Sequence, residues 1–581
     1  ASVRAELDEH ATELAARLHM IQRIDPEIRF DAASLHQMTA EQAAGKVEVF
    51  WYLLWSDMGD LREEHRLAQG WYERQPWRWR NGPVPRRQRL ARPLPYALFP
   101  KGMQRTVYGT YLMYMVAYDA IAKACGPPQI GKVDEEAARA AWNASPFPSH
   151  PAHGLAPEAM DAWVADRLLN GMYPASFRRD PAHPGKRVLV LDWDDCLPFT
   201  HGRLGATHRL YLPDLKVVCG EADGALTLES ITLRYRTKTG PEAPFTVVPG
   251  DAWWPRALVV LRGQLVLQGE LESHLARTHL VAEYLQVAFA RIRAKHASFG
   301  DSAVFRIMEP FLEGADTVNA VGDLLILGSE GAIAASTPLT AESIGHRMLR
   351  ELGALDWRGF RPRARENTVA ADRFTDAANT FWDAVVAFLD AELPDGAVTP
   401  DHIRWIDREV QAASVDVRPL HDAPDAVWWD TNEVAKHTVG KAMSRLQTAA
   451  DLRQLCAFAI YHTTFLHSWV NDGQWADGGD PFGAPMGSAR RVDDRHYAGF
   501  ADWQADVMKY VDAGYQRLVI YALTNFDAGY VMFDDVKPLV PPAFIDTVRQ
   551  LGPPFVNTDY GHAPPDDFRL DVRHIRSRVN S

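Results

Sequence analysis

The chain has 581 residues, of which 47% are apolar and 24% are charged. This composition is ordinary for a soluble globular protein, and a chain of this length can bury a large core without a disulfide or a structural metal. A formal net charge of −13 argues against a nucleic-acid partner, and no apolar run approaches the roughly 18–20 residues that a transmembrane helix needs.

The N-terminal part, residues 1–150, is predicted to consist of helices and one Pro- and Arg-rich segment. Residues 1–75 have the pattern of helices. Residues 76–104, which include "PWRWRNGPVPRRQRLARP", alternate basic with apolar side chains and show no helix or strand period. We interpret this segment as an extended arm that lies on the protein body; a solvated basic loop is the alternative.

The middle of the chain changes character at residues 186–250, where a small β subdomain is predicted. "KRVLVLDWDDCLPF" begins with a β-rich run, and "ALTLESITLRYR" and "FTVVPG" follow as further strands with turn signals between them. From residue 253 to residue 581 helical patterns dominate. No linker or low-complexity tract divides the chain, so residues 1–581 are predicted to form one mainly α-helical domain with a small inserted β-sheet.

The helical stretch "SHLARTHLVAE" places His274 and His279 five residues apart. At about 100° per residue, that separation rotates the two side chains by about 140° on a regular α-helix, so they could not share a metal. A π-helical turn would bring them onto one face, and such turns concentrate at functional sites. The alternative is an accidental spacing of two histidines that lie at the helix surface or are satisfied in the core.

A second histidine segment, "IYHTTFLHSWVNDGQW", favours the metal interpretation. His467 and Asn471 are four residues apart, so a regular helix puts them on one face among apolar neighbours. Buried polar groups need partners, and a divalent metal shared with the first segment would satisfy all four. Imidazoles with an amide oxygen suit iron or manganese better than a structural zinc site, which favours thiolates.

The four cysteines are far apart and form no CxxC pair; they are Cys125, Cys196, Cys219 and Cys456. This usage offers no zinc motif and suits a reducing compartment. We therefore expect a soluble, cytoplasmic protein. The first residue is not methionine, so a cleaved leader, and with it a secreted or periplasmic location, stays open.

The two histidine segments resemble the two metal-binding helices of the lipoxygenase family. "SHLARTHLVAEYL" is similar to that family's H-x4-H-x3-E pattern, and "HSWVNDGQWADGG" is similar to its H-x3-N-F-G-Q-Y-P-Y-G-G pattern. Further family segments are matched, in the family's order, by "LLNGMYP", "LDWDDCLPF" and "DTVNAVGDLLILGSEGAIA". The resemblance runs from about residue 160 to the end of the chain.

For the fold, the resemblance implies a lipoxygenase-like helical catalytic domain whose long central helix binds a metal through a π-bulge. For the site, it implies that His274, His279, His467 and Asn471 ligate one non-haem iron, with manganese as the alternative metal. The one catalytic group beyond these residues would be the hydroxide bound to that metal. The family's fifth ligand is a C-terminal main-chain carboxylate; this chain ends "RSRVNS", so we expect it to continue past Ser581 and do not assign Ser581 as a ligand.

The resemblance also marks residues around the metal, and most of them depart from the family pattern. Gln474 would link a metal ligand to the substrate cavity. Glu270 stands where the family has glutamine, and Arg277 replaces an apolar residue. Ser329, or Gly328 if the alignment shifts by one residue, stands where the family has the small residue that directs oxygen to one face. The polar replacements predict a pocket more polar than a fatty-acid tunnel.

The activity that the resemblance implies is dioxygenation of a polyunsaturated fatty acid. The metal site would abstract a hydrogen atom from a bis-allylic carbon, and O2 would add to the resulting radical to give a hydroperoxide. The alternative is a lipoxygenase-fold oxygenase acting on a different small molecule, which the polar replacements favour. A third hypothesis is a non-catalytic binding protein, which the intact ligand set opposes. The expected partners are O2 and a lipid or other apolar small molecule; the sequence predicts no oligomeric state.

Overall fold

The computed structural model describes residues 155–193, 210–312, 333–417, 443–505 and 540–551, with short gaps inside these ranges and a few isolated positions outside them. The predicted N-terminal helices and basic arm, residues 1–150, lie outside the described residues. The predicted organisation of the whole chain as one domain stays a prediction.

Helices make up most of the described chain, as predicted. None of these helices, within the described part, is both long and apolar enough to cross a membrane. The α-helices are α1 (Pro157–Asn170), α2 (Trp254–Gln268), α3 (Val281–Lys295), α4 (Ala303–Leu312), α5 (Ala341–Ala354), α6 (Arg373–Glu392), α7 (Pro400–Val417), α8 (Ala449–Tyr461), α9 (His467–Gly478), α10 (Phe500–Ala505) and α11 (Pro542–Arg549).

Between α1 and α2 the chain forms a small antiparallel sheet, as the sequence predicted. The strands are β1 (Arg187–Leu191), β2 (Asp214–Ala222), β3 (Ala225–Arg234), β4 (Arg236–Thr237), β5 (Gly240–Pro241) and β6 (Phe245–Val247). The sheet order is β1–β2–β3–β6, and β4 pairs with β5 in a separate two-stranded ribbon.

The hairpin between β2 and β3 shows how local sequence sets the register of the sheet. It turns at Asp223 and Gly224, which both have positive φ, at 53° and 76°. An Asp-Gly pair favours this conformation in a two-residue hairpin turn. The resulting register places Cys219 opposite Leu228, and both side chains are buried.

Two long helices occupy the interior. α2, a π-helical stretch and α3 run without interruption through residues 254–295, which we call the first histidine helix. α8, a second π-helical stretch and α9 form the second histidine helix, residues 449–478. Residues 256–276 of the first histidine helix are all buried, as expected of a helix enclosed by other elements. The two histidine helices pack against each other.

The sheet and the helical core cover different halves of the first histidine helix. Its first turns, represented by Leu258 and Leu261, share a hydrophobic cluster with α1 and the sheet. Its later turns, represented by Leu271 and Leu275, pack in a larger cluster with the surrounding helices. The histidines therefore lie in the half of the helix that packs in the larger cluster with the surrounding helices.

Candidate metal centre

The two histidines of the first histidine helix lie on one face because the helix is π-helical between them. The π-helical stretch spans Gly269–Leu280, and hydrogen bonds from residue i to i+5 put residues five apart on the same side. His274 Nε2 and His279 Nε2 are 3.2 Å apart, and both rings are buried. The predicted π-bulge is therefore confirmed.

The second histidine helix adds two more buried polar groups at the same point. The His467 ring centroid lies 5.5 Å from that of His274 and 5.0 Å from that of His279. One ring nitrogen of each of the three histidines lies within 4.8 Å of the other two. Asn471 is one turn further along α9, and its Nδ2 is 3.2 Å from His467 Nε2. The structure thus brings together the four residues that were predicted as metal ligands.

A second π-helical stretch, His462–Leu466, directly precedes His467, and the sequence analysis did not predict it. Within and after this stretch, Thr463 and Ser468 donate their hydroxyl hydrogens to backbone carbonyls four residues earlier. Such bonds compete with the regular helical pattern and often bend a helix. The hydroxyl-bearing residues around His467 were the sequence signal for this irregularity.

Each histidine of the first helix has an acceptor at its Nδ1 atom. His274 Nδ1 is 2.9 Å from Glu270 Oε2, and His279 Nδ1 is 2.8 Å from Asn319 Oδ1. The Asn319 amide nitrogen donates to the His279 carbonyl (3.0 Å) and to Glu283 (2.7 Å), which fixes the amide oxygen toward the ring. The tautomer protonated at Nδ1 satisfies both acceptors and leaves a lone pair on each Nε2.

Protonation of the His279 ring is unfavourable in this environment. Burial, which disfavours the charged imidazolium, lowers the pKa of His279 to about 3, although the hydrogen bond to Asn319 acts in the opposite direction. At neutral pH His279 is a neutral imidazole, which is the form that binds metals.

The geometry of the lone pairs fits a metal ion. The Nε2 atoms of His274 and His279 face each other across 3.2 Å, and two buried lone pairs repel unless a cation lies between them. Two imidazole nitrogens bound at about 2.1 Å to one ion, at an angle of about 90–109°, are about 3.0–3.4 Å apart. The observed separation lies within that range.

The amide of Asn471 offers an oxygen to the same point. Its Oδ1 atom is buried and accepts no hydrogen bond from the described residues. A 180° rotation of the amide about its last side-chain bond exchanges Nδ2 and Oδ1 and turns the oxygen toward the imidazole nitrogens. An amide oxygen with three imidazole nitrogens is a mixed donor set that suits iron or manganese.

Gln474 and Glu270 form a polar pair behind His274. Gln474 Nε2 donates to Glu270 Oε1 (3.0 Å) and lies 2.9 Å from His274 Nδ1. Glu270 and Gln474 are both buried. The structure therefore places these two predicted neighbours of the metal in direct contact with a predicted ligand.

Arg277 lies between His274 and His279 in sequence, but its side chain is partly exposed whereas theirs are buried. Its Nε atom donates to Glu351 of α5 at 2.7 Å, and both side chains are partly exposed. The role of Arg277 in a substrate pocket stays a prediction. Ser329 and Gly328 lie outside the described residues, so their predicted role in oxygen placement also stays a prediction.

Two further residues have structural roles. Glu283 accepts a hydrogen bond from Asn319 at 2.7 Å. His462 donates from Nδ1 to the Phe458 carbonyl at 2.7 Å, and burial lowers its pKa to about 3. Asn319 itself was not singled out by the sequence analysis, although it lies in the matched segment "DTVNAVGDLLILGSEGAIA".

Comparison with known proteins relates this chain to a sequenced lipoxygenase. No protein-family profile matches the chain. It is similar to a linolenate 9R-lipoxygenase of Nostoc sp. (strain PCC 7120), with 26% identity over 348 residues. The match covers 57% of this chain and 39% of that protein, so the chain spans well under half of the relative's length.

The fold is similar to that of solved lipoxygenases. A 9R-lipoxygenase from Cyanothece PCC8801 superposes with a TM-score of 0.61 and 19% identity, covering 83% of this chain and 72% of that one. A calcium-dependent 11R-lipoxygenase superposes with a TM-score of 0.61 and 15% identity, covering 84% of this chain and 75% of that one. The predicted helical architecture with its small sheet is therefore confirmed.

Proposed function

We propose that this chain is a divergent member of the lipoxygenase family and a non-haem iron dioxygenase that inserts O2 into a polyunsaturated fatty acid. The observation that carries the proposal is the meeting of three histidine rings and the Asn471 amide at one buried point. His274, His279 and His467 would hold the metal through Nε2, and Asn471 would hold it through Oδ1. Manganese is the alternative metal for this donor set.

The chemistry of the proposed reaction is divided between the metal and the protein. Iron, when bound, would supply the reversible one-electron chemistry that hydrogen abstraction from a bis-allylic carbon and the later addition of O2 require. The protein would orient the ligands and exclude water. Glu270 and Asn319 would hold the protons of the two imidazoles on Nδ1, and the burial of His274, His279 and His467 themselves limits access of water to the site.

The comparisons favour a fatty acid over a different small molecule as the substrate. The relative found by sequence similarity is a linolenate lipoxygenase. Arg277, one of the polar replacements that favoured the alternative, is paired with Glu351. A lipid substrate and O2 are therefore the partners that we propose. In the described part of the chain, Cys219 and Cys456 are buried free thiols, and the expected cytoplasmic location stays a prediction.

The test is to load the purified protein with iron, add linoleate in air, and follow the absorbance of the conjugated diene. We expect about one iron per chain and formation of the diene. The His279→Ala variant should lose iron and diene formation together, because it removes one ligand and the partner of Asn319. Stoichiometric iron without diene would contradict the fatty-acid substrate, and absence of bound metal would favour the binding-protein hypothesis.

A further inference from the structure

Glu270 is a buried carboxylate whose charge no lysine or arginine balances among the described residues. It is 3% exposed, and the ion-pair partner that the described residues offer it is His274. Its two oxygens accept hydrogen bonds from His274 Nδ1 (2.9 Å) and Gln474 Nε2 (3.0 Å). A carboxylate only accepts hydrogen bonds, and here a side-chain nitrogen lies within hydrogen-bond distance of each of its two oxygens.

Glu272, two residues further along the same helix, provides the contrast. It is as buried as Glu270, at 4% exposure, but Arg347 donates to it from Nε at 2.7 Å. Tyr173 donates to its other oxygen at 3.2 Å. The charge of Glu272 is therefore balanced by an arginine, whereas the charge of Glu270 is directed toward the histidine cluster.

An unbalanced buried carboxylate is costly unless a cation is near. In the described part of the chain, the point at which the Nε2 atoms of His274 and His279 face each other lies on the far side of the His274 ring from Glu270, and a cation would fit there. A carboxylate that accepts the Nδ1 proton makes the imidazole a stronger donor through Nε2. The negative charge of Glu270 would therefore stabilise the bound metal through His274. It would stabilise Fe(III) more than Fe(II), because Fe(III) carries the higher charge.

We propose that Glu270 is a positioning residue that, through His274, stabilises the ferric over the ferrous state of the bound iron and balances its own charge with that of the metal. The proposal rests on the proposed function, because it requires iron at the four ligands. It goes further than the proposed function because it gives Glu270 an electrostatic effect on the metal. The family resemblance predicts glutamine at this position.

The test is the isosteric Glu270→Gln variant, which keeps the shape of the side chain and removes its charge. Changes to partners of metal ligands alter metal binding by about 10–100-fold. We expect the ratio of Fe(III) to Fe(II) affinity to fall at least about tenfold, which raises the midpoint potential by about 59 mV for a one-electron couple. An anaerobic redox titration that follows the ferric electron paramagnetic resonance signal measures this shift.

The Glu272→Gln variant is the matched control. It removes a charge of the same sign, from the same helix and at the same degree of burial, but from a carboxylate that Arg347 balances. We expect a smaller change in midpoint potential than for Glu270→Gln. Equal shifts in the two variants would overturn the proposal, because they would show a general field effect with no contribution from the contact with His274.

A second measurement separates this role from simple structural support. The melting temperature is measured for the metal-free and the Fe(II)-loaded forms of the wild type and Glu270→Gln. We expect Fe(II) to raise the melting temperature of the variant by less than that of the wild type, because the metal no longer balances a buried charge. We expect the metal-free variant to be at least as stable as the metal-free wild type. Equal destabilisation of both forms, with an unchanged potential, would overturn the proposal.

The outcomes distinguish the two proposals. A wild-type protein that binds no iron overturns both the proposed function and the role of Glu270. A wild-type protein that binds iron but forms no diene contradicts the substrate alone, and the potential shift still tests Glu270. Diene formation with an unaltered potential in Glu270→Gln supports the function and overturns the role of Glu270.

Discussion

Asn319 shows how one residue outside the two histidine helices prepares a metal ligand. Its amide oxygen accepts the His279 Nδ1 proton, and its amide nitrogen donates to the His279 carbonyl and to Glu283. Three bonds from one side chain set both the orientation and the protonation of the ring. Hydrogen-bond partners of this kind commonly have a large effect on the affinity of a site for its metal.

We predict that Asn319→Ala weakens iron binding by about 10–100-fold, because His279 loses the partner that holds its proton on Nδ1. The measurement is competition for Fe(II) with a chelator of known affinity. Asn379→Ala is the control, since Asn379 is also a helical asparagine but donates to the Thr375 carbonyl within α6. Equal iron affinities of the wild type and Asn319→Ala would show that the orientation of His279 does not depend on this amide.

At the scale of elements, residues 171–173 connect the two histidine helices. The Met172 N–H donates to Asp477 of the second histidine helix at 2.5 Å. The hydroxyl of neighbouring Tyr173 donates to Glu272 of the first histidine helix at 3.2 Å. One short loop therefore bonds to both helices that carry the predicted metal ligands, and it can fix their separation.

Two glycines make room for this loop. A Cβ atom at Gly269 would lie 2.7 Å from Met172 Cγ, and one at Gly473 would lie 3.3 Å from the Met172 backbone nitrogen. Gly269 precedes Glu270 and Gly473 precedes Gln474, which are hydrogen-bonded to each other. The two glycines that let Met172 approach both helices are therefore next in sequence to the two residues, Glu270 and Gln474, that bond to each other behind His274.

We predict that Gly269→Ala destabilises the wild type by about 1–3 kcal/mol through overpacking against Met172. The same change should cost much less in a Met172→Ala background, because the side chain that it would overlap is gone. The coupling energy between the two changes should reach about 1 kcal/mol, which urea unfolding of the four proteins of the cycle measures.

Gly396→Ala serves as the control for that cycle, because a Cβ atom there meets nothing within 4 Å. Gly396→Ala should change the free energy of unfolding little, both in the wild type and in the Met172→Ala background. Strict additivity of Gly269→Ala and Met172→Ala would show that the space beside Gly269 is not defined by Met172.

At the scale of the whole molecule, the candidate metal centre joins parts of the chain that are distant in sequence. His274 and His467 are separated by 193 positions in the numbering of the chain, and they lie on helices that belong to the same hydrophobic core. A metal bound by both helices would stabilise the native state and not the unfolded chain. Binding of this kind adds about 2.7 kcal/mol at a free metal concentration of 100 Kd.

We predict that removal of iron by a chelator lowers the melting temperature by a few degrees and that Fe(II) restores it, measured by calorimetry. The His467→Ala variant should melt at the same temperature with and without iron, since it lacks the ligand from the second histidine helix. A wild-type protein whose melting temperature does not respond to iron would contradict a metal shared by the two helices.

Much of this protein could be predicted from local patterns. The helical and strand regions follow from hydrophobic periodicity, and the Asp223–Gly224 turn follows from its residue types. The spacing of His274 and His279 predicted the π-bulge because only an i+5 pattern places both rings on one side. His467 and Asn471 required nothing beyond regular helical geometry. These features depend on neighbours in sequence, which the sequence displays directly.

The tertiary structure alone decided how distant residues meet. Asn319 reaches His279 only after the chain has folded, and nothing in its local sequence marks that contact. The same is true of Met172, which lies between two glycines of different helices, and of Arg347, which balances Glu272 and leaves Glu270 without a cation among the described residues. Packing and charge balance are properties of residues brought together in space, so the sequence identified the candidate ligands and the fold determined what orients them.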